Sequence, residues 1–223
     1  KRAPVQMLES GPAAGALAGA YFGNADANGS LIAFDMGGTT AKLCLIDKGE
    51  PLVAHGFEAA RQERFVEGSG LPIRISTIEL IEIGAGGGSI VKVDPAGGIA
   101  VGPASAGANP GPACYGRGGV NATLTDVNVV LGYINPSTLL GSALTIDSAH
   151  AERAVDANIA RPLGTSVLQA ASAAHRVAVA ELARALRAVT SERGVNPAVF
   201  TIVAFGGGGP GMAASLARAP GIR

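Results

Sequence analysis

The residues best suited to chemistry are Asp35-Met36-Gly37-Gly38-Thr39-Thr40. An acid closes one apolar run, Leu31-Ile32-Ala33-Phe34, and a Gly-Gly-Thr-Thr turn leads straight into the next, Ala41-Lys42-Leu43-Cys44-Leu45-Ile46. Glycines carry no Cβ, so their backbone N–H groups can approach a phosphate closely. Threonine hydroxyls donate to phosphate oxygens. Asp35 repels a bare phosphate but suits a phosphate-bound Mg²⁺, as a direct ligand or through water. The segment reads as a phosphate-binding turn, with a plain hairpin turn as the alternative.

Two other glycine clusters compete for similar roles. Gly84-Ala85-Gly86-Gly87-Gly88-Ser89 reads either as a second anion cradle made by the N–H groups of Gly86, Gly87, Gly88 and Ser89, or as a place where two backbones pack closely. Gly206-Gly207-Gly208-Gly209-Pro210 follows the apolar run Phe200 to Phe205. Gly206, Gly208 and Gly211 match the spacing of a dinucleotide fingerprint, but that fingerprint also wants an acid about 20 residues on, and the last residue here is Arg223. NAD therefore ranks below ATP. No G-x-x-x-x-G-K-[ST] string occurs, which excludes a P-loop.

The remaining candidates are weaker. Asp126 is either a helix cap or a catalytic carboxylate. Glu82 reads more readily as a solvent-facing acid than as a base. Cys114 has no histidine near it in sequence and reads as a structural thiol rather than a nucleophile. His55, His150 and His175 lack metal-ligand spacing.

The elements that must position these residues follow from periodicity. Ser10-Gly11-Pro12 starts a helix through Ala13 to Phe22, and Gly23-Asn24 stops it. The runs at 31–34 and 41–46 read as strands, with Asp47 to Glu50 as a hairpin turn and Pro51 to Phe57 as a third strand. Pro72 to Ile83 fits strand or helix. Ser89 to Val93 and Ile99 to Val101 read as strands around the turn 94–98. The segment Gly102 to Gly119 is too apolar for a solvated linker and reads as an ordered loop packed on the core or on a partner. Beyond residue 122 helices dominate. One is capped at Thr125 or Asp126. Another, 148–160, is capped by Asp147. A long one, capped by Thr165 and running to about Ser191, carries an apolar stripe of Val167, Leu168, Ala171, Leu182, Leu186 and Val189. A strand at 200–205 and a helix from about 211 to 218 close the pattern.

Bulk properties bound the function. The 223 residues include 17 Lys plus Arg and 17 Asp plus Glu, so no basic excess points to nucleic acid or an anionic membrane. The 48% hydrophobic content fits a folded chain. The 33 glycines are about twice the usual share, roughly 7%, and are clustered rather than periodic. Gly11 to Gly23 is the most apolar stretch and is shorter than the ~20 residues a membrane helix needs. The two cysteines, Cys44 and Cys114, form no CxxC, which suggests free thiols in a reducing cytoplasm. The first residue is Lys1, which reads as a processed subunit or a piece of something longer.

The order of an Ala-rich helix (Pro12-Ala13-Ala14-Gly15-Ala16), apolar strand, Asp-x-Gly-Gly-Thr turn and strand resembles the second half of the actin, heat-shock chaperone and sugar-kinase superfamily. Four strings narrow this: Phe34 to Thr39, Ile83 to Ile90, Val101 to Gly107 with Pro110 to Gly116, and Thr125 to Gly132. Together they resemble the hydantoinase A/oxoprolinase family over nearly the whole chain. The resemblance implies an α/β fold of ribonuclease-H-like, actin-like ATPase type, with a β-rich insertion at about 58–120. It implies a single domain over 1–223, the second of two that clamp ATP and Mg²⁺, working with an N-terminal domain and a second subunit or domain in an oligomer.

The implied reaction is ATP-dependent opening of a cyclic amide such as a hydantoin, N-methylhydantoin or 5-oxoproline. Other members carboxylate acetone or acetophenone. A non-catalytic nucleotide-binding or assembly domain is the alternative from another class. On this reading Asp35 positions Mg²⁺, Gly37, Gly38, Thr39 and Thr40 hold phosphates, Gly206, Gly207, Gly208 and Gly209 face the adenosine, and Asp126 is the second candidate acid. The commoner family string has Thr-Ser-Thr-Asp where this chain has Thr39-Thr40-Ala41-Lys42. Lys42 thus stands where an acid is common and faces either a phosphate or solvent. With half the cleft outside it, the isolated chain is expected to bind ATP weakly or not at all.

Overall fold

The computed structural model describes residues 4–23, 29–59, 68, 70–137 and 145–219. Helix α1 (Ser10–Gly23) precedes strands β1 (Leu31–Met36), β2 (Ala41–Asp47), β3 (Glu50–Pro51), β4 (Val53–Ala54), β5 (Phe57–Ala59), β6 (Leu71–Ile73), β7 (Thr77–Ile78), β8 (Ile81–Ile83), β9 (Ser89–Val93) and β10 (Ile99–Ser105). Helices α2 (Leu124–Val130), α3 (Ser148–Val155), α4 (Arg161–Leu163) and α5 (Val167–Glu192) follow, then β11 (Thr201–Phe205) and α6 (Gly209–Arg218).

The fold is mixed α/β. Its main sheet runs β11-β1-β2-β3, with β8 also paired to β2. Strand β11 is parallel to β1, and the other pairs are antiparallel. The β2–β3 hairpin turns on Lys48 and Gly49, both at positive φ (51° and 83°), the conformation that a two-residue type I′ turn requires.

Side chains alternate across the sheet, which makes two cores. Ile32, Phe34, Met36, Leu43 and Leu45 pack with Val127, Leu182, Leu186, Met212 and Leu216 from α2, α5 and α6. Leu31, Ala33, Cys44 and Ile46 pack with Ala16 and Ala20 of α1 on the other face. Helix α1 approaches closely because it is built of small residues. A Cβ on Gly15 would lie 2.0 Å from the Phe205 ring. The same alternation carries Asp35 and Lys42 onto the α1 face, directly opposite each other in register.

Several expectations need correction. The strand expected over Pro51 to Phe57 is broken into β3, β4 and the start of β5, and only β3 joins the main sheet. Pro72 to Ile83 is three short strands rather than one element. The 102–119 segment is not all loop: β10 continues to Ser105, and a 3₁₀ turn spans Ala113–Tyr115. The cap of α2 is Thr123, with Asp126 three residues inside, and the cap of α5 is Ser166 rather than Thr165. Leu168 is 62% exposed, and Ala170, Ala174 and Ala178 fill its place in the buried stripe. Gly23 ends α1 as expected, but Asn24 lies outside the described residues, as do residues 60–67 and 69 near the start of the 58–120 segment.

Candidate functional site

The β1–β2 turn forms the floor of a cleft of about 280 Å³ lined by Pro12, Asp35, Gly37, Gly38, Thr39, Thr40 and Lys42. Pro12 belongs to the first turn of α1, so the positive end of that helix dipole faces the same cleft. The Gly37 N–H closes the turn onto the Thr40 carbonyl at 3.1 Å.

The glycine loop at 84–89 orients the turn from behind. Gly87 donates its N–H to the Gly37 carbonyl (2.9 Å), and Gly88 donates to the Gly38 carbonyl (2.6 Å). In a trans peptide the C=O and N–H point in opposite directions. The peptides whose carbonyls are held by the loop therefore aim the N–H groups of Gly38 and Thr39 the other way. Both residues are exposed, and among the described residues neither amide has a protein acceptor. Two adjacent outward N–H groups make an anion-binding concavity.

The loop itself is not a second cradle, because its amides are already engaged. Gly86 N–H donates to Ser89 Oγ (2.9 Å), Ser89 N–H to the Gly86 carbonyl (3.0 Å), and Gly87 and Gly88 to the turn. All four residues are buried. Glycine is needed here for close packing: a Cβ on Gly86 would lie 2.5–2.7 Å from backbone atoms of Gly38 and Thr39. The close-packing alternative for this segment is the one the geometry supports.

The Gly206–Gly209 segment closes the other side of the turn. Gly208 donates to the Met36 carbonyl at 2.8 Å. Gly206 has φ 80°, and a Cβ there would lie 2.4 Å from Asp35 Oδ1. Gly207 is open to solvent, and Gly209 is buried at the start of α6. Two glycine segments distant in sequence thus converge on Asp35 to Thr39.

The charges are few. Burial raises the Asp35 carboxyl above its ordinary value, while Lys42 pulls it down. Lys42 pairs with Glu9, just before α1. Glu9 and Pro12 were not singled out in the sequence. The Ser10-Gly11-Pro12 helix start carried the only hint, since a helix start beside the turn brings its preceding residue there too. A single carboxylate fits Mg²⁺ held mainly by phosphates and water. Among the described residues no group of three or more His, Cys, Asp or Glu side chains forms a metal site.

The other candidates lie elsewhere. Asp126 is fully buried and accepts hydrogen bonds from Ala113 N (3.2 Å), Cys114 N (2.7 Å), Thr123 N (2.8 Å) and Thr123 Oγ1 (2.7 Å). It completes the α2 capping box and has no exposure to a substrate, so it is a structural rather than a catalytic acid. The Cys114 thiol is buried, and desolvation and Asp126 raise its pKa, which suppresses the thiolate. His175 meets Asn128 and Ser215, while His150 pairs with Asp147. Glu82 is exposed, opposite Lys42.

The family model described as Hydantoinase/oxoprolinase matches residues 1–223. The chain belongs to the hydantoinase/oxoprolinase family. It is 38% identical to the acetophenone carboxylase gamma subunit of Aromatoleum aromaticum over 95% of this chain and 28% of that protein. Its structure is similar to that of nucleotide-free acetone carboxylase, an enzyme of ATP-dependent acetone carboxylation (TM-score 0.79, 31% identity, 96% of this chain and 29% of that one). It is also similar to the ATP-dependent caprolactamase of Pseudomonas jessenii (TM-score 0.75, 34% identity, 94% of this chain and 29% of that one). This hydantoinase/oxoprolinase chain therefore spans less than a third of the length of these relatives. Among the described residues no helix is long and apolar enough to cross a membrane.

Proposed function

We propose that this chain is the second nucleotide-gripping domain of an ATP-dependent enzyme that opens a cyclic amide. The observation that carries the reading is the pair of amides, Gly38 and Thr39, turned outward by the loop that holds the carbonyls of Gly37 and Gly38. They stand beside a partly buried acid at a helix N-terminus, an arrangement suited to a polyphosphate. Likeness to an ATP-dependent caprolactamase supports a cyclic amide as the second substrate. We assign the chain to one domain of ribonuclease-H-like, actin-like ATPase architecture, completed by an N-terminal domain and a further subunit. The exposed Leu17, Tyr21 and Phe22 of α1 suit such a covering partner.

An amide carbonyl is a poor electrophile. Transfer of the γ-phosphoryl group to the amide oxygen, with ADP departing, gives a carbon that water attacks; the ring C–N bond then breaks as its nitrogen takes a proton, and a second water hydrolyses the resulting acyl phosphate to carboxylate and phosphate. The chain's share is positioning and charge stabilisation. The Gly38 and Thr39 amides and the Thr39 and Thr40 hydroxyls hold phosphate oxygens. Asp35 would help hold Mg²⁺, which would supply neutralisation of phosphate charge. Gly206 to Gly208 keep the end of β1 in place and leave Gly207 open toward the nucleoside side.

The test is phosphate release from ATP by the full-length protein with lactams, hydantoins, 5-oxoproline, and ketones plus bicarbonate. Release stimulated by a cyclic amide, and lost in Asp35→Asn, is expected. Stimulation only by ketone and bicarbonate would replace the amide reading with a carboxylase. No stimulation by any of them would overturn the enzyme reading.

A further inference from the structure

Lys42 sits at the centre of a charged row. It lies directly opposite Asp35 of β1 on one side and Glu82 of β8 on the other. Its ammonium is engaged not by these cross-strand neighbours but by Glu9. The Lys42 side chain is 16% exposed and lines the cleft, and the Glu9 carboxylate is 30% exposed. Glu9 has φ 59°, a left-handed conformation that a side-chain-bearing residue rarely adopts. Its carbonyl accepts the Ala13 N–H at 3.0 Å, so the first turn of α1 fixes it in this pose. The carboxylate thus reaches a lysine beside the phosphate-binding turn.

We propose that Glu9 is an internal counter-anion for Lys42, holding the lysine until a nucleotide phosphate takes it over. This rests on the phosphate-binding reading of the turn. Lysine has three N–H donors, and among the described residues only Glu9 accepts from them. A terminal phosphate offers more negative charge and more acceptor oxygens than a carboxylate, so it can compete for the ammonium. Binding then breaks the Glu9–Lys42 pair, and Glu9 weakens the affinity by the strength of that pair. Glu9 also keeps a partly buried ammonium neutralised when no ligand is present. It is a positioning residue, acting through Lys42 rather than on the phosphate.

The measurement is ATP affinity of the full-length protein by calorimetry, for wild type, Glu9→Gln, Lys42→Met and the double variant. Glu9→Gln is expected to tighten ATP binding by about threefold to fivefold, the range of a partly exposed ion pair. Lys42→Met is expected to weaken it by roughly tenfold or more, as loss of a charge-assisted hydrogen bond does. In the Lys42→Met background, Glu9→Gln should leave the affinity unchanged. A Glu9→Gln variant with wild-type affinity and a lowered melting temperature would make the pair purely structural and overturn the proposal. So would equal tightening with and without Lys42. Absence of ATP binding by the folded wild type would instead overturn the nucleotide reading beneath it.

Discussion

Replacing Gly86 by alanine tests how the turn is held. Gly86 does not have positive φ, so alanine costs nothing in backbone conformation there. The cost is all contact. The new Cβ would lie 2.5 Å from Thr39 C, 2.6 Å from Thr39 N and 2.7 Å from Gly38 C, and backbone atoms cannot rotate away. Restoring ordinary contact requires the loop and turn to part by about 1 Å. The Gly87–Gly37 and Gly88–Gly38 hydrogen bonds, now 2.9 and 2.6 Å, would stretch to roughly 3.6–3.9 Å and cease to be hydrogen bonds. Two buried bonds at about 1–2 kcal/mol each give a loss of about 2–4 kcal/mol. In a chain of this size that lowers the melting temperature by roughly 5–15 °C. Gly38→Ala is the control, because a Cβ there meets nothing within 4 Å. It should melt within a degree or two of wild type, yet weaken phosphate binding by placing a methyl group beside the cleft. Thermal unfolding by circular dichroism reads the first effect and nucleotide titration the second. A Gly86→Ala protein with wild-type melting, or a Gly38→Ala protein less stable than it, would refute the buttress.

Asp126→Asn is expected to lose about 2–4 kcal/mol in urea unfolding, since its amide N–H₂ must face donors that now meet a carboxylate. The folded fraction should bind nucleotide and release phosphate as wild type does, which a catalytic or metal-binding role for Asp126 would not allow. Burial holds the His175 imidazole below its ordinary pKa. The unfolded chain therefore binds more protons below about pH 6.5, and stability present above that value is lost as pH falls. Urea midpoints measured from pH 7.5 to 5.5 should fall more steeply in wild type than in His175→Gln, and equal slopes would exclude His175 as the source.

The sequence was most legible where local rules act alone. The turn at 35–40 was read from glycine, threonine and an acid between apolar runs, and β1, β2 and α1 fall where periodicity put them. The role of Gly86 to Ser89 was open because glycine serves both anion binding and close packing. Only the partners of its amides decide between them, and those are long-range. Asp126 had the same ambiguity, and its donors come from residues 113, 114 and 123. Short strands between residues 50 and 83 escaped a period-2 reading because none is long enough to alternate. Glu9 was missed because its importance lies in a contact with Lys42, 33 residues away in sequence.

The parallel pairing of β1 with β11 has a consequence during synthesis. Strand β1 meets β2 at once, but its other neighbour lies roughly 170 residues later in the chain. At ribosomal rates of about 5–20 residues per second, that edge waits on the order of ten to thirty seconds for its partner. Meanwhile Leu31-Ile32-Ala33-Phe34 presents a bare, apolar strand edge of the kind that recruits other chains. Asp35, next along the same strand, puts a charge at the end of that edge, a placement that disfavours edge-to-edge pairing with other chains.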